Sequence, residues 1–364
     1  MEIKELLTLT MQNKASDLHL LVGIHPALRI DGALSYLTNY PILTREDVEM
    51  MVYSLLTPEQ KELLIANKEL DFSYGYESVS ITGRFRVNAY YQKGNLAAAF
   101  RFLPTTIRSI EQLHLPNICH RFAKLKQGFV LVTGPTGHGK SSSLAAILNE
   151  RNMNTGDHIL TIEDPIEYIY PPGASIVSQR ELGADTHSWA MALKSALRED
   201  PDIVLIGEMR DPETMQAALT IAETGHLVFS TLHTNSASQS IDRIVDSFPP
   251  HQKPQIRIQL AATLSGIVSQ RLLPIIGGGR IPAVEVLISN SAVANNIREG
   301  KTHLIESIIQ TSKEEGMITL ESSLAQLVLS GSIDLKTAQG YAIRPEELHR
   351  LVGDTGANGE KRIQ

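Results

Sequence analysis

From residue 129 to residue 231 one pattern recurs along the chain: a short, mostly apolar run of strand length, then a longer stretch with helical spacing. The runs fall at 129–132, 159–162, 203–206 and 227–231. Strands alternating with helices predict a mostly parallel sheet covered by helices. In such sheets ligands bind beyond the carboxyl ends of the strands. The residues past each run are polar: Gly134 after the first, Glu163 and Asp164 after the second, Gly207 and Glu208 after the third, His233 and Thr234 after the fourth. From Gln255 onward the pattern reads as helices, with Gly277-Gly278-Gly279 as a turn.

The first third has a different rhythm. Short apolar strands are expected at 17–22 and 27–30, with Asp31-Gly32 as a hairpin signal leading into 34–37. Two helices follow, each with a written start: Thr44 with Asp47 three residues on, and Thr57-Pro58 with Gln60. Next, Arg84-Phe85-Arg86-Val87-Asn88-Ala89 alternates, so Arg84, Arg86 and Asn88 share one strand face and Phe85, Val87 and Ala89 the other. A strand at 96–102 returns antiparallel and carries Arg101. The expectation is an α/β chain in two parts. A small α+β domain spans 1–103, a proline-containing linker 104–116, and a larger, mostly parallel-sheet domain with C-terminal helices 117–364.

The chemistry enters with Gly134-Pro135-Thr136-Gly137-His138-Gly139-Lys140-Ser141-Ser142, a GxxxxGK[ST] loop set between a strand and a helix. Backbone N–H groups of such a loop cradle phosphates, Lys140 reaches the β- and γ-phosphates, and the Ser141 hydroxyl binds Mg²⁺. His138 sits where the backbone N–H matters most, so its side chain is expected to be tolerated there. Phosphoryl transfer to water then needs a carboxylate that orients the attacking water. Either Glu208 or Glu163 fits, with Asp164 beside the latter. Gly207 stands where most P-loop ATPases place a magnesium-supporting acid. His233, just past a strand at the ligand edge, is a candidate γ-phosphate sensor, whereas His226 precedes that strand and suits a structural or subunit role. Arg84, Arg86, Arg101 and Arg108 are candidate arginine fingers, acting in their own subunit or across a ring interface.

Composition narrows the classes. The chain has 364 residues, 42% hydrophobic, enough for a sizeable core and two domains. Without a long uncharged apolar window, and with Lys4, Glu5, Lys14 and Asp17 in its first stretch, it is expected to be soluble and to lack a signal peptide. A single cysteine, Cys119, excludes a disulfide framework or four-cysteine zinc site and suits a reducing cytoplasm. The net charge of −7 argues against bulk nucleic-acid binding.

With these residues assembled, the chain resembles the type IV pilus retraction ATPase (PilT) family of the secretion-ATPase superfamily. The resemblance runs from Ala15-Ser16-Asp17-Leu18-His19-Leu20 to about residue 347. Thr161-Ile162-Glu163-Asp164-Pro165-Ile166-Glu167-Tyr168 is similar to the family's Asp box, and Gly207-Glu208-Met209-Arg210-Asp211 to its Walker B motif. Glu223-Thr224-Gly225-His226 through Ser230-Thr231-Leu232-His233-Thr234 is similar to its His box, and Ile297-Arg298-Glu299-Gly300-Lys301 to its retraction motif. The loop departs from the family's usual GSGKST at His138 and Ser142. The resemblance implies a PAS-like N-terminal domain, a RecA-like ATPase domain, ATP and Mg²⁺, and a homohexameric ring. It also implies a cytoplasmic motor, peripheral at the inner face of the membrane, that withdraws pilin through a platform protein of the pilus machinery. The alternatives are an accessory retraction ATPase, an ATP-switched scaffold with little turnover and, less favoured, a nucleic-acid translocase.

Overall fold

A computed structural model describes residues 2–30, 32–77, 82–103 and 106–359. Asp31 of the hairpin signal and Pro104 and Thr105 of the expected linker lie outside the described residues. The chain divides into two compact units, residues 1–106 with 165–169, and 107–164 with 170–364.

The first unit is PAS-like α+β. In chain order it holds α1 (Ile3–Gln12), β1 (Asp17–Leu20), β2 (Ala27–Ile30), β3 (Ala33–Tyr36), α2 (Arg45–Tyr53), α3 (Pro58–Asn67), β4 (Glu69–Glu77), β5 (Thr82–Gln92) and β6 (Asn95–Leu103). The strands form an antiparallel sheet in the order β3-β2-β1-β6-β5-β4. Both helix starts read from sequence carry complete capping boxes, Thr44 with Asp47 and Thr57 with Gln60. The alternation on β5 sends Phe85, Val87 and Ala89 into a core with Leu18, Leu20 and Phe100, closed by Leu6 and Leu7 of α1 and Val48 and Met51 of α2. On the opposite face, register aligns Ser73, Arg86, Arg101, Asp17 and Arg29 across five strands. Two elements exceed the sequence reading. One is α1; the other is β4, whose Leu70, Phe72, Tyr74 and Tyr76 alternate with polar residues and make the expected strand pair a triplet.

The second unit is RecA-like. It runs α4 (Ile118–Ala123), β7 (Gly128–Thr133), α5 (Lys140–Asn154), β8 (His158–Glu163), β9 (Ile176–Glu181), α6 (Trp189–Ala196), β10 (Ile203–Ile206), α7 (Pro212–Glu223) and β11 (Leu227–Leu232). Then come α8 (Ala237–Asp246), α9 (Lys253–Thr263), β12 (Leu264–Pro274), β13 (Arg280–Ile288), α10 (Ser291–Glu299), α11 (Ile305–Thr311), α12 (Leu320–Leu329), α13 (Leu335–Tyr341) and α14 (Pro345–Gly359). The sheet order is β13-β12-β7-β11-β10-β8-β9, parallel except for the β12–β13 pair. The stretch after Gln255 is therefore not all helical. β12 and β13 are buried strands whose apolar runs lack a polar face, so periodicity cannot separate them from buried helix. Gly277-Gly278-Gly279, all at positive φ (91°, 105° and 91°), turns that hairpin. Alternate residues of the central strands point to opposite faces. Phe129, Leu131, Val204 and Val228 pack beneath α6 to α9, and Val130, Val132, Leu205 and Phe229 beneath α4 and α5. No helix among the described residues is long and apolar enough to cross a membrane.

Candidate active site

Parallel pairing brings the four carboxyl ends together. β8 aligns Ile162 with Ile206 of β10, β10 aligns Ile206 with Ser230 of β11, and β11 aligns Leu232 with Thr133 of β7. The phosphate loop leaves β7 through Gly134, whose φ of 142° no side chain adopts easily and whose Cβ would stand 2.4 Å from the Gln270 backbone oxygen. Gly137 and Gly139 follow at φ 80° and 82°, and Gly139 is the N-cap of α5. This backbone points N–H groups and the helix terminus at one spot, as an anion requires. Lys140 is buried beneath the loop, its Nζ donating to the carbonyls of Gly134 at 2.8 Å and Pro135 at 3.1 Å. Pro135, Thr136 and the α5 residues Ser141 and Ser142 are half-buried to exposed.

His233 joins this loop to Glu208. Its Nε2 lies 3.1 Å from Glu208 Oε1, and its Nδ1 faces Lys140 Nζ at 3.4 Å and Thr136 Oγ1 at 3.3 Å. A neutral ring with its proton on Nε2 satisfies every partner: Lys140 and Thr136 donate to Nδ1, and Nε2 donates to the carboxylate. Arg210 donates to the other Glu208 oxygen at 3.0 Å. Burial works to raise the Glu208 pKa, but the hydrogen bonds from Arg210 and His233 and the Arg210 charge outweigh it and hold the carboxyl below the usual range. Glu208 is thus an ionised acceptor. Its backbone is fixed from β11, where Thr231 Oγ1 donates to the Gly207 carbonyl at 2.7 Å and Ser230 Oγ to that of Ile206 at 2.8 Å.

Glu163 ends β8 and is 8% exposed, accepting from Thr161 Oγ1 at 2.7 Å. The geometry explains Gly207. A Cβ there would meet Glu163 Cα at 3.3 Å, the Ile162 backbone oxygen at 3.4 Å and Glu163 Cγ at 3.6 Å, so the end of the neighbouring strand leaves little room for an acid at Gly207. Asp164 is exposed beside it, near enough to Arg210 to reinforce that cation's charge. His226 lies at the opposite end of β11, its Nδ1 held by Thr224 Oγ1 and the Ile221 carbonyl, away from the loop.

The arginines occupy separate places. On the polar face of the first sheet, Arg84 donates to Ser73 Oγ at 2.6 Å, Arg86 is 4.0 Å from Asp71, and Arg101, 69% exposed, donates to Asp17 at 3.0 Å. Arg108 is exposed near the start of the second unit. In the retraction-like segment, Ile297 is buried while Arg298, Glu299 and Lys301 are exposed, with Glu299 and Lys301 paired at 2.7 Å and Gly300 closing α10 at φ 69°. Sequence reasoning assigned no role to Arg210 or Gln270. Arg210 was within reach, two residues beyond Glu208 on an extended segment. Gln270 had no signal, since its strand was unseen.

The donors fit a hard cation. The Ser141 hydroxyl and the Glu163 and Glu208 carboxylates are oxygen ligands of the kind Mg²⁺ takes. No group of three or more His, Cys, Asp or Glu among the described residues could hold a metal alone.

Residues 108–338 match the Type II/IV secretion system protein family. Over 346 residues the chain is 45% identical to the type IV pilus retraction ATPase PilT of Pseudomonas aeruginosa, covering 95% of this chain and 99% of that one. A twitching motility protein of Neisseria gonorrhoeae is 46% identical over 324 residues, 89% of this chain and 86% of the relative. Among solved structures, the pilus retraction motor PilT with bound ADP superposes with a TM-score of 0.89 at 46% identity, covering 96% and 99% of the two chains.

Proposed function

The chain belongs to the Type II/IV secretion system protein family, and on that premise we propose that it is a ring-forming motor that hydrolyses ATP to retract type IV pili. One observation carries the reading: a single sheet edge links the phosphate-binding Lys140, through His233, to the ionised Glu208. ATP seats its phosphates on the loop N–H groups and Lys140. Ser141 would hold the Mg²⁺ that accompanies the nucleotide, which would supply charge neutralisation to phosphoryl transfer. Glu208 orients the attacking water, with Glu163 beside it as the second carboxylate. When Lys140 turns to a phosphate, His233 loses the charged one of its two Nδ1 donors and keeps Thr136, so the ring registers the γ-phosphate and passes that state to Glu208. Six copies in a ring would let Arg86 or Arg101 of one subunit meet the nucleotide of the next. Exposed Arg298 and Lys301 offer positive charge to a platform protein at the inner face of the membrane.

The test is steady-state Mg²⁺-dependent turnover across a concentration series that brackets assembly, beside Lys140→Ala, together with restoration of twitching in a retraction-deficient strain. Multiple turnovers that vanish in the variant, with restored motility, are expected. Tight nucleotide binding that stops after about one turnover per site would replace the motor with a nucleotide-switched scaffold.

A further inference from the structure

The ladder between β7 and β12 ends at Thr133 and Ser269, yet β12 continues to Pro274, paired there only with β13. Beyond Ser269 the edge of β12 that faced β7 is met by the phosphate loop. Leu272 stands opposite Pro282, which has no N–H, and its own N–H points away from β13 to the ring of His138, donating to Nδ1 at 2.9 Å. Two residues earlier on that edge, the Gln270 side chain donates to the His138 carbonyl and accepts from Ser143 Oγ of α5 at 2.8 Å. The outer side of the ring meets Tyr341 of α13 edge-on, with centroids 6.3 Å apart.

We propose that His138 is a positioning residue for the phosphate loop: by accepting the Leu272 amide hydrogen at Nδ1, its neutral imidazole pins the loop to the open edge of β12 in the shape that receives phosphate. The side chain that the sequence reading set aside as merely tolerated thus takes the place of the missing strand. Without it the Leu272 donor has no acceptor among the described residues, which is costly at a half-buried site. Nδ1 can accept only while the proton sits on Nε2; a second proton would set N–H against N–H. Burial disfavours that proton first. The charges acting on the ring, Arg271 of β12, Lys140 of α5 and Arg280 of β13, disfavour it further, while α13 presents only the Tyr341 ring.

The proposal rests on the loop binding nucleotide, so its test has one arm with nucleotide and one without. ADP affinity is measured by calorimetry from about pH 5.5 to about pH 8 for the parent, His138→Phe and His138→Asn, the Asn Oδ1 standing where Nδ1 stood. Hydrogen exchange is read on peptides covering 269–274 in the nucleotide-free proteins. Phe is expected to weaken ADP binding roughly tenfold at neutral pH and to speed exchange at Leu272; Asn restores most of both. On acidification the parent loses affinity relative to Asn, which feels the same titration of the nucleotide but carries no imidazole. If the Phe variant does not fold, His138→Gln, whose acceptor sits in the Nε2 position, replaces it. Unaltered ADP affinity with a protected Leu272 amide in the Phe or Gln variant overturns the proposal. A parent that binds no ADP sinks the ATPase reading instead, and the exchange contrast still decides whether the loop is pinned.

Discussion

Glu208→Gln is expected to separate hydrolysis from binding. The carboxylate accepts from two sides, Arg210 at 3.0 Å and His233 at 3.1 Å. A glutamine of the same size keeps one carbonyl acceptor and turns an NH₂ group toward the other donor, so one of the two contacts becomes repulsive. It also removes the charge that draws a proton from water. A positioned general base contributes about 10²–10⁴ in rate. With the His233 linkage lost as well, turnover is expected to fall about 10³-fold, or about 4 kcal/mol in the barrier. ADP affinity should stay within about threefold, because the loop N–H groups and Lys140 are untouched. Phosphate release at saturating Mg²⁺-ATP and ADP calorimetry measure the two quantities. The pH dependence has a definite sign. The depressed pKa of Glu208 keeps the active carboxylate until pH falls below the ordinary glutamate range, and Arg210→Ala should move that acid limb to higher pH. Unaltered turnover in Glu208→Gln would refute the assignment. Joint loss of turnover and ADP binding in a folded variant would make Glu208 a binding residue instead.

Gly134→Ala places a Cβ 2.4 Å from a backbone oxygen of β12 and is expected to abolish ADP binding and to cost about 2–4 kcal/mol, read by denaturant unfolding. Glu285 caps α8 by accepting from the Ala237 N–H at 2.7 Å, and burial raises its pKa. Its contribution to stability is present below the ordinary carboxylate pKa and is lost as pH rises. Glu285→Gln should therefore gain on the parent in thermal midpoint between about pH 4 and about pH 8; a constant difference would refute the linkage. Cys119 is buried with its thiol pushed up to about 12, so alkylation near pH 8 should wait for unfolding, followed by mass spectrometry with and without denaturant.

The nucleotide edge was legible because its signals are local. A GxxxxGK[ST] loop needs its glycines within one turn, and the polar residues past each apolar run follow from strand direction alone. The capping boxes at Thr44 and Thr57 were legible for the same reason. The hairpin of β12 and β13 was not. Flanked by other elements, its residues carry no polar face, and only the three glycines between the strands marked it. β9 hid differently: Ile176-Val177-Ser178-Gln179-Arg180-Glu181 is largely polar, as an edge strand permits. Missing β12 also hid the use of His138, because the group its ring serves is a backbone N–H on that strand.

The apolar clusters have a thermodynamic corollary. The side chains that pack around Phe85 and Phe100 all come from residues 3–102, and those on the two faces of the parallel sheet all come from residue 107 onward. Each unit closes its own core, so calorimetry is expected to resolve two heat-absorption peaks, and a single all-or-none event would show that the units unfold together. Mass action then acts unevenly: ADP raises only the peak of the unit whose loop it occupies, by RT ln(1 + [L]/Kd), and leaves the other where it was.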